Sequence, residues 1–190
     1  MKLLEERILK DGIVLKGDVL KVGSFLNQQL DVPFLCEACK EFYRLYKDAG
    51  VTKILTIEAS GIAIAALTAQ YFGVPVVFAK KSKSDNIAAD VYSGRVVSYT
   101  HGNEAQAIVS KEYISKEDRL LLIDDFLARG SALEALLAIA GQAGAAVVGA
   151  GIAIEKAYQG GGDTLRAAGL RIESLARIAS MDEEKGIVFC

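Results

Sequence analysis

Apolar positions along the chain fall into two recurring patterns, which predict helices alternating with strands. Short, continuously apolar runs predict buried strands at 53–57, 74–79, 120–123 and 146–154. Apolar residues at helical spacing predict helices at 3–10, 33–49, 61–72 and 132–143. Weaker patterns predict a strand at 106–114, a short helix near 163–168 and a late strand near Ile187.

Strands that are apolar throughout and alternate with helices predict an α/β fold, with a mainly parallel sheet covered by helices on both faces. Ligands of such sheets bind beyond the carboxyl ends of the strands. The chain contains no linker, repeat or low-complexity tract, so we expect a single domain over residues 1–190.

The long apolar stretch at 132–154 could be mistaken for a membrane span. Glycines interrupt it at 141, 144, 149 and 151, and its second half is rich in Val and Ile. We therefore predict a helix, a glycine stop and a strand, and no membrane-embedded segment.

Net charge, cysteine count and the N-terminal residues limit the classes of function and the cellular location that we expect. The net charge of −2 over 190 residues argues against nucleic-acid binding, which needs a strong positive field. Three cysteines do not make a disulfide framework, and Cys36 and Cys39 lie inside a predicted helix, where packing is the favoured interpretation. The one histidine, His101, is interpreted as a turn residue. The acidic N-terminus is unlike a signal peptide, so we expect a cytoplasmic protein.

The most informative segment follows the strand at 120–123. Asp124 and Asp125 come at its end, then a loop of small residues, then a helix whose start is predicted from the capping-box spacing of Ser131 and Glu134. Adjacent acids suit a sugar diol, and N–H groups at a helix start suit a phosphate. Because strand side chains alternate, we expect the acids not to form a tight pair. The segment could also be a plain strand, turn and capped helix with two solvated acids.

Residues 120–132, LLLIDDFLARGSA, resemble the motif with which type I phosphoribosyltransferases bind 5-phosphoribosyl 1-pyrophosphate (PRPP). The resemblance covers nearly the whole chain and is strongest to the xanthine-using members, through segments at 19–31, 52–63, 73–84, 149–159 and 172–181. It implies the fold of that family, with a small hood from N-terminal segments. It also implies transfer of phosphoribose from PRPP, with Mg²⁺, to a purine base in a cytoplasmic homodimer.

The resemblance implies a role for each matching position. Asp124 and Asp125 would bind the ribose hydroxyls as the catalytic acids. The 5′-phosphate would be cradled by Ala128, Arg129, Gly130, Ser131 and Ala132. The pyrophosphate loop would be Glu58, Ala59, Ser60 and Gly61. The base would contact Leu20, Asn27 and Lys156. A closing loop would begin at Lys80, Lys81 and Lys83. No protein metal site is expected, because Mg²⁺ would be held mainly by substrate oxygens and water.

The predicted base contacts favour xanthine. Lys156 carries only hydrogen-bond donors and suits an oxo group, which adenine lacks. Guanine, hypoxanthine and, less favoured, adenine stay as alternative bases, and a PRPP-sensing regulator of the same fold is a further alternative. The purine repressors of this kind add an N-terminal DNA-binding domain, for which there is no room before Pro33. The phosphate loop departs from the xanthine-using members at Arg129-Gly130-Ser131, where they carry Asn-Gly-Gln.

Overall fold

The computed structural model of the chain describes residues 1–82, 90–97 and 104–190. Two residues discussed above, Lys83 and His101, lie outside the described residues. The helices are α1 (Lys2–Asp11), α2 (Val32–Tyr46), α3 (Ser60–Phe72), α4 (Ser131–Ala143) and α5 (Gly161–Ala167). Single helical turns lie at Gly23–Asn27, Lys111–Tyr113 and Ala157–Gln159.

The strands form two sheets. They are β1 (Ile13–Leu15), β2 (Val19–Lys21), β3 (Lys53–Ile57), β4 (Val76–Ser82), β5 (Val91–Val97), β6 (Glu104–Ser110), β7 (Arg119–Leu127), β8 (Ala146–Lys156), β9 (Ile172–Asp182) and β10 (Gly186–Phe189). Within the described residues, β1 and β2 form an antiparallel hairpin and the others form one sheet in the order β10-β9-β8-β7-β3-β4-β6-β5. The five central strands, from β9 to β4, run parallel, and the antiparallel strands lie at the two edges.

Alternate residues of the central strands point to opposite faces of the sheet. Ile54 and Leu121 pack with α1, α2 and α3 in one apolar cluster, whereas Leu55 and Leu122 pack with α4 in the other. All four side chains are fully buried. This arrangement confirms the predicted parallel sheet with helices on both faces, and it explains why these strands are apolar throughout.

The helix boundaries follow from local chemistry. Asp31 caps α2, because its Oδ1 accepts a hydrogen bond from the Phe34 N–H at 3.3 Å, and Pro33 occupies the first turn. The buried face of α2 includes Phe42 and Tyr46. In α4, Gly144 ends the helix with a φ of 69°. Residues 132–154 are thus helix, glycine stop and strand, as predicted, and no helix among the described residues is long and apolar enough to span a membrane.

The tail and the region after β5 differ from the sequence prediction. The predicted strand at 106–114 is shorter, because a helical turn, Lys111–Tyr113, follows β6. The long strand β9 was missed, since polar residues such as Glu173 and Arg177 interrupt its apolar pattern. Those polar side chains have partners in the folded chain: Glu173 accepts from Arg171, and Arg177 donates to Glu155.

Candidate active site

Three neighbouring parallel strands bring most of the predicted site residues to one edge of the sheet. In the order β8, β7, β3, Lys156 ends the first strand, Asp124 and Asp125 lie near the end of the second, and Glu58 follows the third. This is the carboxyl end of the parallel strands, where ligands of such sheets bind.

A cavity of about 610 Å³ opens at this edge. Its lining joins three parts of the predicted site, namely the base contacts Leu20 and Lys156, the acid Asp124 and the phosphate loop at 128–132. Residues that the sequence analysis did not assign also line it: Gly17, Asp18, Val19, Val96, Phe126, Leu127, Leu133 and Gln159. One cavity therefore contacts the segments predicted for the phosphate, the ribose and the base.

The two acids at the end of β7 differ in burial. Asp124 is only 5% exposed and Asp125 is half-buried. Burial, followed by the charge of Asp125, raises the pKa of Asp124 well above its usual range. The main-chain N–H of Asp125 donates to Asp124 Oδ1 at 2.9 Å, and the two side chains interact. The expectation that the acids do not form a tight pair stays a prediction, since this hydrogen bond joins the Asp124 carboxyl to the main chain of Asp125.

Asp124 also contacts the predicted pyrophosphate loop. A Cβ added at Gly61, the second residue of α3, would lie 2.3 Å from Thr56 Oγ1 and 3.1 Å from Asp124 Oδ1, so the lack of a side chain lets α3 approach Thr56 and the acid closely. Glu58 accepts a hydrogen bond from the main-chain N–H of Lys81, and the peptide bond between Glu58 and Ala59 is cis. Together with Ser60, this loop lies beside Asp124 rather than in the lining of the cavity among the described residues.

The phosphate loop leads directly into α4. Gly130 is the residue before the helix and has a φ of 95°, a left-handed conformation that favours glycine. Its carbonyl accepts the Glu134 N–H at 2.9 Å, which starts the helix at Ser131. The predicted capping box is wrong, because Gly130 and not Ser131 occupies the capping position. The first turn of a helix presents main-chain N–H groups and the positive end of the helix dipole, which suit an anion.

The start of α5 packs against the main chain of the phosphate loop. The Gly161 N–H donates to the Ala128 carbonyl at 3.2 Å, and a side chain on Gly161 would lie 2.3 Å from the carbonyl carbon of Arg129. From the sequence, a glycine run such as 160–162 predicts a loop and little more. The structure instead places Gly161 at the start of α5, where the close approach of two main chains requires glycine.

A buried ion-pair network lies next to these elements. Glu155, fully buried on β8, accepts two hydrogen bonds of 2.7 Å from Arg166 of α5 and further bonds from Ser174 and Arg177 of β9. Burial acts to raise the pKa of Glu155, but the bonds from Arg166 and Ser174 outweigh it and lower the pKa below its usual range. The network fixes α5 against the sheet, and hence the support of the phosphate loop.

The predicted base contacts occupy two places. Leu20 on β2 and Lys156 at the end of β8 line the cavity, and Lys156 Nζ donates to the main-chain carbonyl of Asp18. Burial lowers the pKa of Lys156, and the charge of Asp18 acts in the opposite direction. Asn27 lies beside the acids, where its Nδ2 donates to Asp125 Oδ2 at 3.4 Å.

Two of the three lysines predicted to begin a closing loop lie in a strand. Lys80 and Lys81 belong to β4, where they pair with Ile108 and Ala107 of β6, so both are part of the sheet. Lys83 lies outside the described residues, and the closing loop stays a prediction. Lys81 still acts on the site, because its charge opposes the rise in the pKa of Asp124. Among the residues that the structure describes, no three His, Cys, Asp or Glu side chains are grouped to hold a metal ion.

Comparison with known proteins identifies the family to which the chain belongs. The family described as "Phosphoribosyl transferase domain" matches residues 30–164, which include α2, α3, α4 and the loops between them. The chain belongs to the phosphoribosyltransferase family. The resemblance inferred from residues 120–132 is thereby confirmed.

Individual relatives of this phosphoribosyltransferase cover almost its full length. It is 53% identical over 188 residues to a xanthine phosphoribosyltransferase of Lachnoclostridium phytofermentans, covering 99% of this chain and 97% of that protein. It is 56% identical over 183 residues to one of Alkaliphilus metalliredigens, covering 96% and 91%. A solved adenine phosphoribosyltransferase of Trypanosoma brucei, in complex with AMP, pyrophosphate and ribose-5-phosphate, aligns with a TM-score of 0.75 over 93% of this chain and 80% of that one. At 19% identity, this structural likeness shows the shared fold only.

Proposed function

We propose that this phosphoribosyltransferase transfers the phosphoribosyl group of PRPP to xanthine, giving xanthosine 5′-monophosphate and pyrophosphate. The observation that carries the proposal is the joint lining of one cavity by Leu20, Lys156, Asp124 and the phosphate loop. The full-length relatives, which are xanthine phosphoribosyltransferases, support the same activity. In the reaction a ring nitrogen of the base bonds to C1 of the ribose, and the proton that this nitrogen carries in the neutral base is released to solvent. The bond from C1 to the pyrophosphate oxygen breaks, and its electron pair leaves with pyrophosphate.

Asp124 and Asp125 hold the ribose hydroxyls of PRPP. Burial, and then the charge of Asp125, raises the pKa of Asp124, and two hydroxyl donors would stabilise the charged form of both acids. The reaction passes through a cation-like state at C1, so negative charge and fixed geometry close to the ribose lower the barrier. Asn27, which donates to Asp125, would connect the ribose acids to the base.

The phosphates of PRPP bind on both sides of the acids. The 5′-phosphate is held by main-chain N–H groups of residues 128–132, where Gly130 admits its close approach. Pyrophosphate is held by the loop at 58–61, next to Lys81. Bound together with PRPP, Mg²⁺ would supply positive charge that neutralises the departing pyrophosphate. The ion would be held mainly by oxygens of PRPP and by water, as this hard ion prefers, so this form of binding requires no closed protein cage.

Lys156 selects the base. Its ammonium group has three N–H donors and no acceptor, which suits the oxo group at C6 of xanthine and disfavours the amino group of adenine. Leu20 packs on a ring face. Because the side chain of Lys156 is half-buried, an unpaired donor there costs about 1–3 kcal/mol, which would work against adenine.

The proposed base site is tested by replacing Lys156 with methionine, which keeps the length of the side chain and removes its donors. We expect the KM for xanthine in Lys156→Met to rise by about tenfold or more, while the KM for PRPP stays within twofold. Steady-state kinetics with each substrate varied in turn would measure both. Equal rises in the two KM values would contradict the assignment of Lys156 to the base.

Two further features stay predictions. We propose that the enzyme acts as a homodimer in the cytoplasm, as the resemblance to the family implies. Sedimentation of the purified protein would test the dimer, for which a mass of about twice 20.3 kDa is expected.

A further inference from the structure

The tip of the β1–β2 hairpin is joined to the end of β8 through one residue, Asp18. Its main-chain carbonyl accepts a hydrogen bond from Lys156 Nζ. Its carboxylate accepts hydrogen bonds from the Tyr158 hydroxyl and the Gln159 side-chain amide, in the helical turn after β8. We call these three hydrogen bonds the Asp18 tie.

The hairpin needs such external support. β1 and β2 have three residues each and form a sheet of their own, and a two-stranded hairpin of this size is marginal in water. Leu20 anchors one side of it in the core, whereas Gly17 and Asp18 are exposed at the tip. The polar contacts of Asp18 therefore hold the part of the hairpin that the apolar core does not reach.

The same hydrogen bonds orient Lys156, the residue predicted to donate hydrogen bonds to the purine base. An ammonium group has three N–H donors, and the carbonyl of Asp18 takes one of them from Lys156. The other two stay available to oxo groups of a base in the cavity, which Asp18, Gln159 and Lys156 all line. The charge of Asp18 also opposes the effect of burial on Lys156, and so helps to keep the ammonium protonated.

We propose that Asp18 is a positioning residue for the base: the Asp18 tie fixes the Leu20 wall of the cavity and the Lys156 donor relative to each other. The inference rests on the proposed base-binding role of Lys156. Asp18 acts through Lys156 and the hairpin. Its loss therefore weakens capture of the base and leaves the PRPP-binding loops in place.

The variant Asp18→Gly isolates the side chain. Asp18 has a φ of 66°, a left-handed conformation that glycine adopts without strain, so this variant keeps the turn and the main-chain carbonyl while removing the carboxylate. We expect the KM for xanthine to rise by about three- to tenfold, with kcat and the KM for PRPP within twofold. In Asp18→Asn the amide oxygen can still accept from Tyr158, but its NH₂ group cannot accept from Gln159, so a smaller rise is expected.

The matched control is Lys16→Ser, an exposed change in the same turn, which we expect to leave all three kinetic constants within twofold. Thermal unfolding of each variant would verify that the fold is retained. An unchanged KM for xanthine in Asp18→Gly, or an equal rise in the KM for PRPP, would overturn the positioning role, provided that Lys156→Met does raise the KM for xanthine. If Lys156→Met leaves that KM unchanged, the base site itself is wrong and this inference falls with it.

Discussion

The contact between Gly161 and the phosphate loop allows a steric test of how the loop is held. In Gly161→Ala the added Cβ would lie 2.3 Å from the Arg129 carbonyl carbon and 2.5 Å from the Ala128 carbonyl oxygen. Ordinary contacts of a Cβ begin at 3.4 Å, so the loop must retreat by about 1 Å. Gly161 has no left-handed φ, and alanine is otherwise acceptable at its position in α5.

A displacement of about 1 Å at a substrate-binding group can cost about a hundredfold in rate. We therefore expect kcat/KM for PRPP in Gly161→Ala to fall by about one to two orders of magnitude. Overpacking should also reduce the free energy of unfolding by about 1–3 kcal/mol. Initial rates at saturating xanthine, with PRPP varied, would measure the first quantity, and urea denaturation the second.

Two other glycines provide controls for this variant. In Gly141→Ala the new methyl meets nothing within 4 Å in the interior of α4, so we expect unchanged kinetics and about 0.5–1 kcal/mol of added stability. In Gly162→Ala the methyl would lie 2.2 Å from Glu155 Oε1, so stability should fall with less effect on PRPP than Gly161→Ala has. If kcat/KM for PRPP in a folded Gly161→Ala protein matches the wild type, α5 does not position the phosphate loop.

The remaining predictions concern Asp125 and the buried Glu155. Asp125→Ala should lower kcat/KM for PRPP by at least tenfold while the protein stays folded, and near-normal kinetics would refute its ribose contact. Asp125→Asn should also shift the acid limb of the pH–rate profile to lower pH, because the charge that helps to raise the pKa of Asp124 is gone; an unshifted limb would argue against their interaction. For Glu155, the lowered pKa means that its ionised form stabilises the fold above the ordinary value of 4.5, and this stability is lost as pH falls through the lower, folded-state pKa. The thermal midpoint of Glu155→Gln should therefore lie well below that of the wild type at pH 7 and approach it in acid, and a constant difference would contradict the pairing.

The central sheet and the PRPP-binding segments could be predicted from the sequence because their signals are local. The run at 120–123 followed by Asp124 and Asp125 predicts a buried strand with acids near its carboxyl end within six residues, although β7 continues past them to Leu127. Likewise, a sheet buried on both faces requires continuously apolar strands, which made β3, β7 and β8 visible.

The features of the fold and site that the sequence did not predict depend on contacts between segments that are far apart along the chain. Gly161 is required because α5 meets a loop that lies about 30 residues earlier, and nothing in a glycine run reveals its neighbour. Asp18 contacts residues at a separation of 138 or more positions. Strand β9 was hidden because its polar residues look solvated in sequence, whereas Ser174 and Arg177 face the buried Glu155. The glycine triplet at 160–162 is the one feature of the sequence that could indicate a special requirement for glycine at 161.

The proposed preference for xanthine needs the most direct test, since adenine phosphoribosyltransferases share this fold. The most direct measurement is an assay of the purified protein with PRPP and Mg²⁺ across xanthine, guanine, hypoxanthine and adenine. Nucleotide formation would be followed for each base. We expect the highest kcat/KM for xanthine, with xanthosine 5′-monophosphate as product, and the lowest for adenine. A preference for adenine would contradict the assignment of Lys156 and the proposed function.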